Sequence, residues 1–262
     1  MATDFKKRFS GVSRLYGDQE LEIFHQSHVC VVGIGGVGAW VAEALARSGI
    51  GEITLVDLDV VCLTNINRQV HALSNSVGIR KTTVMAERIS AINPDCKVNE
   101  IIDFVGYENL EDCLSLDYDY VVDAIDSAAI KAAIVNWCKR QKVPVICIGG
   151  AGGKINPAMI AITDLNRTKN DPLLARVRSQ LRAYHGFSRN TKRSYAIDCV
   201  YSTEQVRFPD GKGSTTFQKP GEAVGMNCSN GFGAATHITA SFAFFAVGRL
   251  FEKLIKKKGA QH

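Results

Sequence analysis

The sequence predicts an α/β protein of the doubly wound kind, a mostly parallel sheet with helices on both faces, extended by C-terminal strands and closed by an apolar terminal helix. Three observations predict it. Short β-branched runs alternate with stretches of helical periodicity through the first 150 residues, the pattern of repeated strand, helix, strand units. A glycine turn separates the first such run from the first helix. The composition, 46% hydrophobic and 22% charged over 262 residues, is that of a globular chain.

Residues 28–32 (HVCVV) read as the first strand and residues 37–48 (VGAWVAEALARS) as the helix after the turn. Residues 52–56 (EITLV) form the second strand. An irregular stretch leads to 77–92 (VGIRKTTVMAERISAI), whose apolar positions recur at helical spacing until Asn93-Pro94 stops it. Strands follow near 97–102 and at 119–123 (DYVVD), then a helix near 128–140 and a strand at 144–148 (PVICI). This succession gives a Rossmann-like sheet.

Beyond Gly149 the pattern changes. Residues 154–163 read as an outward strand, and the polar segment 164–194 holds eight Lys and Arg against two Asp. That segment carries +6 in a chain of net charge +5, so essentially all the excess positive charge is clustered there. Asp171-Pro172 has the form of an N-cap with a first-turn proline, and Gly186 that of a helix stop. Between them Leu174, Val177 and Leu181 share one face, and Arg178 and Arg182 another. A solvated helix face accounts for such charge as well as an RNA-binding surface does. The RNA reading draws on Arg176, Arg178, Arg182, Arg189, Lys192 and Arg193, with Tyr184, His185 and Phe187 beside them.

A strand at 197–202, a turn at Pro209-Asp210-Gly211 and an apolar stretch at 232–251 followed by lysines complete the chain. Twenty helical residues reach about 30 Å, enough to cross a bilayer. Thr236, His237, Thr239, Ser241 and Arg249 favour a buried or dimer-interface helix instead, with contact between the lysine tail and anionic lipid as the second expectation.

Composition excludes several classes. A chain of this length buries roughly 70–75% of its unfolded surface, so it is neither disordered nor dependent on disulfide staples. The eight cysteines include no C-x-x-C pair, which argues against structural zinc. Six of them sit in apolar or strand-like surroundings, as thiols of a reducing compartment do. No apolar run of signal-peptide length accompanies Phe5, Lys6, Lys7, Arg8 and Phe9. The expected location is the cytoplasm, with the inner face of a membrane as a peripheral site.

Gly33, Gly35, Gly36 and Gly38 form a G-x-G-x-x-G turn between strand and helix, where backbone N–H groups approach a phosphate. Asp57 ends the second strand 19 residues later, in register to bind ribose hydroxyls. NAD and ATP fit these residues equally. The stretch 57–69 (DLDVVCLTNINRQ), Lys81 and 123–126 (DAID) discriminate, because a dehydrogenase needs none of them. Attack on the α-phosphate of ATP releases pyrophosphate and calls for cations and a metal. Arg68 and Lys81 offer the first and Asp126 the second. Singly, the two cations read as surface residues and Asp126 as a helix cap. Their order behind a glycine loop makes the joint reading the stronger one.

These motifs resemble the ubiquitin-activating-enzyme-like adenylating family, which includes the bacterial ThiF and MoeB proteins. The matching positions are Gly33 to Gly38, Asp57 and Asp59, the run Asn65 to Gln69, Lys81 and Asp126. The resemblance implies that Asp57 holds ribose, that Asn65, Arg68 and Lys81 hold the phosphates, and that Asp126 holds Mg2+, with Asp59 and Gln69 in the same ATP site. It implies a homodimer in which Arg14 reaches the partner's ATP. One branch, which dehydrates threonylcarbamoyladenosine in tRNA, resembles the chain along nearly its whole length. The runs are Arg8-Phe9 with Arg14 to Gly17, VVGIGGVG, NRQVHAL, INPDC, DAIDS, GGAGG, DCVYSTE and GFGAAT.

The branch implies an ATP-dependent tRNA-modifying enzyme that adenylates the threonyl carboxylate and lets the side chain close on itself, releasing AMP. It also implies a cysteine desulfurase or sulfur-acceptor partner. One ThiF-type domain is expected, with an arm at 1–27, a nucleotide-binding core at 28–150 and a substrate-facing, dimerising part at 151–262. Cys228 stands before the terminal helix, where an N-terminus lowers a thiol pKa, as a candidate acceptor of an acyl group or persulfide. Intramolecular cyclisation needs no enzyme nucleophile, so a structural role is expected and Cys228→Ala should keep the activity. Gly149 to Gly153 is expected to loop over the site. The alternatives are an adenylyltransferase acting on the C-terminal glycine of a ubiquitin-like sulfur carrier, a non-catalytic ATP-binding scaffold and, last, an NAD oxidoreductase.

Overall fold

The computed structural model describes residues 3–218 and 232–259. Seven strands, β1 (His28–Val32), β2 (Glu52–Val56), β3 (Lys97–Ile101), β4 (Tyr120–Asp123), β5 (Val145–Ile148), β6 (Ile160–Asp164) and β7 (Asp198–Ser202), form one sheet. Their order is β3-β2-β1-β4-β5-β7-β6, parallel throughout except for β6 against β7. Both faces of the central strands are covered, which is why β1, β4 and β5 read as near-continuous apolar runs, with His28 and Asp123 only at strand ends. A short hairpin, β8 (Phe208–Pro209) with β9 (Thr215–Thr216), turns through Gly211 at φ 72°.

Helices α1 (Thr3–Arg8), α2 (Ser10–Tyr16) and α3 (Asp18–His25) make the N-terminal arm. One face of the sheet carries α4 (Gly38–Arg47) and α5 (Lys81–Ile92); after the single turn of α6 (Leu110–Cys113), the other face carries α7 (Ala128–Gln141) and α8 (Pro172–Tyr184). The last helix, α9 (Thr236–Gly259), returns to the α4 and α5 face. Strand alternation divides the core: Val29 and Val31 point to the α4 side, Cys30 and Val32 to the α7 side.

Three boundaries differ from the periodicity. Helix α5 starts only at Lys81, because Gly78 takes a left-handed φ of 87° and Arg80 bridges back to Val60. The strand expected from residue 154 begins at Ile160, after a 3-10 turn (Pro157–Met159) capped by the Asn156 side chain; Pro157 has no N–H to give a ladder. Helix α9 starts at Thr236 and runs on through the lysines for 24 residues. Among the described residues no helix is long and apolar enough to cross a membrane. Ile238, Phe242, Ala246 and Leu250 are buried on the sheet, and Lys257 and Lys258 meet Asp119 at 3.6 and 3.0 Å.

Helix α8 forms as its ends require. The Asp171 carboxylate accepts the Leu174 N–H at 2.9 Å, Pro172 occupies the first turn, and Gly186 at φ 70° lets Phe187 N–H reach Leu181 C=O.

Candidate active site

The chain leaves β1 for α4 on one face and β4 for α7 on the other. These neighbouring strands therefore open a crevice at their carboxyl ends, the topological switch point of such a sheet. The glycine loop lines it. Gly33 holds φ 89°, and a Cβ on Gly38 would stand 1.8 Å from the Gly33 carbonyl, so neither position admits a side chain. Around Gly35 nothing lies within 4 Å of where a Cβ would be, which leaves its backbone open to a ligand. At Gly36 the nearest atoms include the Arg68 side chain at 3.4 Å, so the loop and the arginine face each other.

Asp57 follows β2 and is nearly buried. Its carboxylate accepts the Ile34 N–H at 2.7 Å and the Asp59 N–H at 2.8 Å, tying the glycine loop to the second strand. Lys81, the first residue of α5, pairs with Asp59 at 2.6 Å and stands 3.9 Å from Asp57. Burial pushes the Asp57 carboxyl above its ordinary pKa, with Lys81 and the two N–H donors pulling the other way.

Asn65 ends a 3-10 turn (Leu63–Asn65), where its side chain accepts the Cys62 N–H at 3.0 Å. Arg68 donates to Thr64 C=O at 2.7 Å and to the Asn67 side chain at 2.9 Å, while Trp40 and Thr239 hold its carbonyl. Gln69 and His71 are buried, and neither the Gln69 side-chain oxygen nor either His71 ring nitrogen has a hydrogen-bond partner among the described residues. Burial, reinforced by Lys81 and Arg88, lowers the His71 pKa to about 4. The sequence reading passed over His71 and Trp40; their places within NRQVHAL and one turn into the glycine-loop helix were the available signals.

Asp126 is exposed on the turn between β4 and α7 and has no ion pair among the described residues. Fully buried Lys131, five residues further on, pairs with Asp123 at 2.8 Å and donates to the Asp123 carbonyl, fixing the strand end. A lysine inside the apolar helical pattern, eight residues after Asp123, was the visible sign of that pair. Gly149 to Gly153 follows β5 at the same sheet end, where Asp171 accepts the Gly150 N–H at 2.9 Å and Gly153 bonds Gly233 and Arg207.

The predicted RNA residues divide. Arg176, Arg189, Lys192 and Arg193 are exposed, whereas Arg178 and Arg182 are half-buried and act as internal ties. Arg178 donates to Thr168, and Arg182 to the Tyr195 hydroxyl and to Asn166 at 2.8 Å. Arg14 is exposed on α2. Of the seven described cysteines six are buried and Cys62 is exposed; Cys228 lies outside the described residues.

The ThiF family model matches residues 10–255. The chain is 54% identical to a tRNA threonylcarbamoyladenosine dehydratase of Haemophilus influenzae, over 97% of this chain and 96% of that protein. Identity to the Escherichia coli dehydratase is 49%, over 98% and 97% of the two chains. The structure of the E. coli enzyme TcdA in complex with ATP superposes with a TM-score of 0.89, at 46% identity and over 100% and 99% of the chains. By contrast, the molybdopterin-synthase adenylyltransferase of E. coli is 30% identical over 48% of this chain and 50% of its own. The chain thus belongs to the ThiF family and, within it, to the tRNA threonylcarbamoyladenosine dehydratases.

Proposed function

We propose that this protein dehydrates threonylcarbamoyladenosine in tRNA at the expense of ATP. The observation that carries the reading is the near-complete alignment with dehydratases, one of them solved with ATP, over a chain whose glycine loop, Asp57 and Arg68 converge on one crevice. The molybdopterin-synthase adenylyltransferase, by contrast, aligns over only half the chain.

The threonyl carboxylate attacks the α-phosphate and pyrophosphate leaves, giving an acyl-adenylate. The carbamoyl group then attacks the activated carbonyl and gives up its N–H proton as the ring closes, and AMP departs with the carboxylate oxygen. Net loss from the nucleoside is one water. Nucleophile and electrophile belong to one side chain, so the second step needs orientation rather than an enzyme nucleophile. Asp57 would hold the ribose, with Asp59 and Gln69 in the same site, and Asn65 and Lys81 would hold the phosphates. Arg68, stacked on the glycine loop, would meet phosphate charge that grows in the transition state. The free Asp126 carboxylate suits Mg2+, which needs one or two carboxylates beside phosphate and water oxygens. When bound, the ion would withdraw charge from the phosphates. Arg14 would serve the site of a second copy, a role supported by its exposure beside Leu15, which is 76% exposed.

The test is incubation with ATP, magnesium and threonylcarbamoyl-modified tRNA, followed by mass spectrometry of the nucleosides under mild conditions. The expected result is loss of one water from the modified adenosine, abolished by Asp126→Ala or Arg68→Ala. ATP binding without that mass change would overturn the reading.

A further inference from the structure

Two groups of exposed cations lie away from the crevice. Arg140 and Lys142 close α7 just ahead of β5, and Arg189, Lys192 and Arg193 lie on the loop just ahead of β7. Because β5 and β7 are parallel neighbours, with Ile146 opposite Asp198, both groups sit at the amino ends of the strands. The glycine loop, Asp57 and Asp126 sit at the carboxyl ends. Helix α7 links the two ends: it starts two residues after Asp126 and its 14 residues span about 21 Å.

The two groups form one surface. Lys139 donates to the Tyr195 carbonyl and its ammonium lies 5.7 Å from the Phe187 ring centre, clamping the loop to the end of α7. The loop is itself built. Asn166 donates to the carbonyls of Asn190 and Arg193, Asp164 accepts from Ser194 and Tyr195, and the Tyr195 hydroxyl donates to Ser188. These bonds turn Arg189, Lys192 and Arg193 outward. No carboxylate among the described residues pairs with any of the five cations. On α7, α8 and this loop the only exposed large hydrophobic residue is Tyr184. A protein partner needs a desolvated apolar centre, whereas phosphates need fixed cations and no such centre.

We infer that this surface is the seat of the tRNA stem next to the modified nucleoside, with Arg140 and Lys142 as phosphate contacts, so that the stem lies along α7 while the nucleoside enters the crevice. The inference rests on the tRNA substrate of the function proposed above. A patch about 21 Å from Asp126 cannot read the reacting nucleoside; it holds the rigid arm that delivers it.

The test is the double variant Arg140→Gln/Lys142→Asn, in which asparagine suits the left-handed φ of 60° at position 142. Binding of tRNA is measured against salt concentration, beside binding of a short single-stranded oligonucleotide that carries the modified nucleoside without its stem (the loop oligonucleotide) and of ATP. The slope of log K against log salt should flatten by about 2 and tRNA affinity should fall roughly tenfold. Loop-oligonucleotide and ATP affinities should stay unchanged, which also reports an intact fold. An unchanged slope, or equal losses for tRNA and loop oligonucleotide, overturns the surface. So does weakened binding of a ubiquitin-like sulfur carrier with tRNA binding intact. A wild-type protein that binds tRNA with the expected salt dependence yet dehydrates nothing overturns the proposed function and leaves this surface standing.

Discussion

Lys81 closes on Asp59 at 2.6 Å and stands 3.9 Å from Asp57, which sets a buried cation beside the residues proposed to hold ATP. Replacing it leaves Asp57 nearly buried and without its nearest cation. Lys81→Met is therefore expected to lower kcat by about 10²–10³, the usual loss for one electrostatic stabiliser of an anionic transition state, as read by AMP release with modified tRNA. A loss under tenfold would remove Lys81 from the phosphate site. His71 makes a second prediction. Its folded pKa of about 4 lies below the ordinary 6.5, so its contribution to stability is complete above pH 6.5 and is lost as pH falls through 4. Urea midpoints taken across that window should fall by on the order of 3 kcal/mol in stability, and His71→Phe should flatten the decline. An identical slope in the variant would assign the acid sensitivity to other groups.

Among elements, α8 has the sharpest dependence on one side chain. Asp171 caps the helix through Leu174 and holds the Gly150 N–H, so one carboxylate joins the helix to the glycine-rich loop after β5. Asp171→Ala should cost about 2 kcal/mol, a cap and a hydrogen bond together, seen as a lower urea midpoint at unchanged slope. The nearer Asp171→Asn should recover part of it. The cap was legible because Asp-Pro before an amphipathic run is local chemistry. Its second bond was not, because Gly150 lies 21 residues away and nothing in the spacing links them.

For the whole molecule, assembly turns on Arg14. If it completes a partner's site, Arg14→Ala and Asp126→Ala proteins, each inactive alone, should regain dehydration on mixing, since a mixed dimer holds one intact site. Mixing that restores nothing would place Arg14 outside the reaction. The exposed apolar residues Val60, Leu63, Leu73 and Ile79 on the connection between β2 and α5 suit burial by a second copy, and they lie away from the basic end of α7 and α8.

The strands, the glycine loop and the order of Asp57, Lys81 and Asp126 were legible in the sequence because they depend on short-range rules. β-branched runs pair, glycines permit backbone that other residues cannot adopt, and a strand end points its next residue into the crevice. Helix α5 was misplaced by four residues where a left-handed Gly78 interrupts a good apolar period. Tertiary structure alone decided which cations are free. Arg178 and Arg182 share the helical spacing of a charged surface face, yet Thr168, Asn166 and Tyr195 consume them. Strand direction decided the rest, sending Arg189, Lys192 and Arg193 to the sheet end opposite the crevice. Periodicity shows which residues share a face of their own element; partners distant in sequence and the direction of neighbouring strands determine what that face meets.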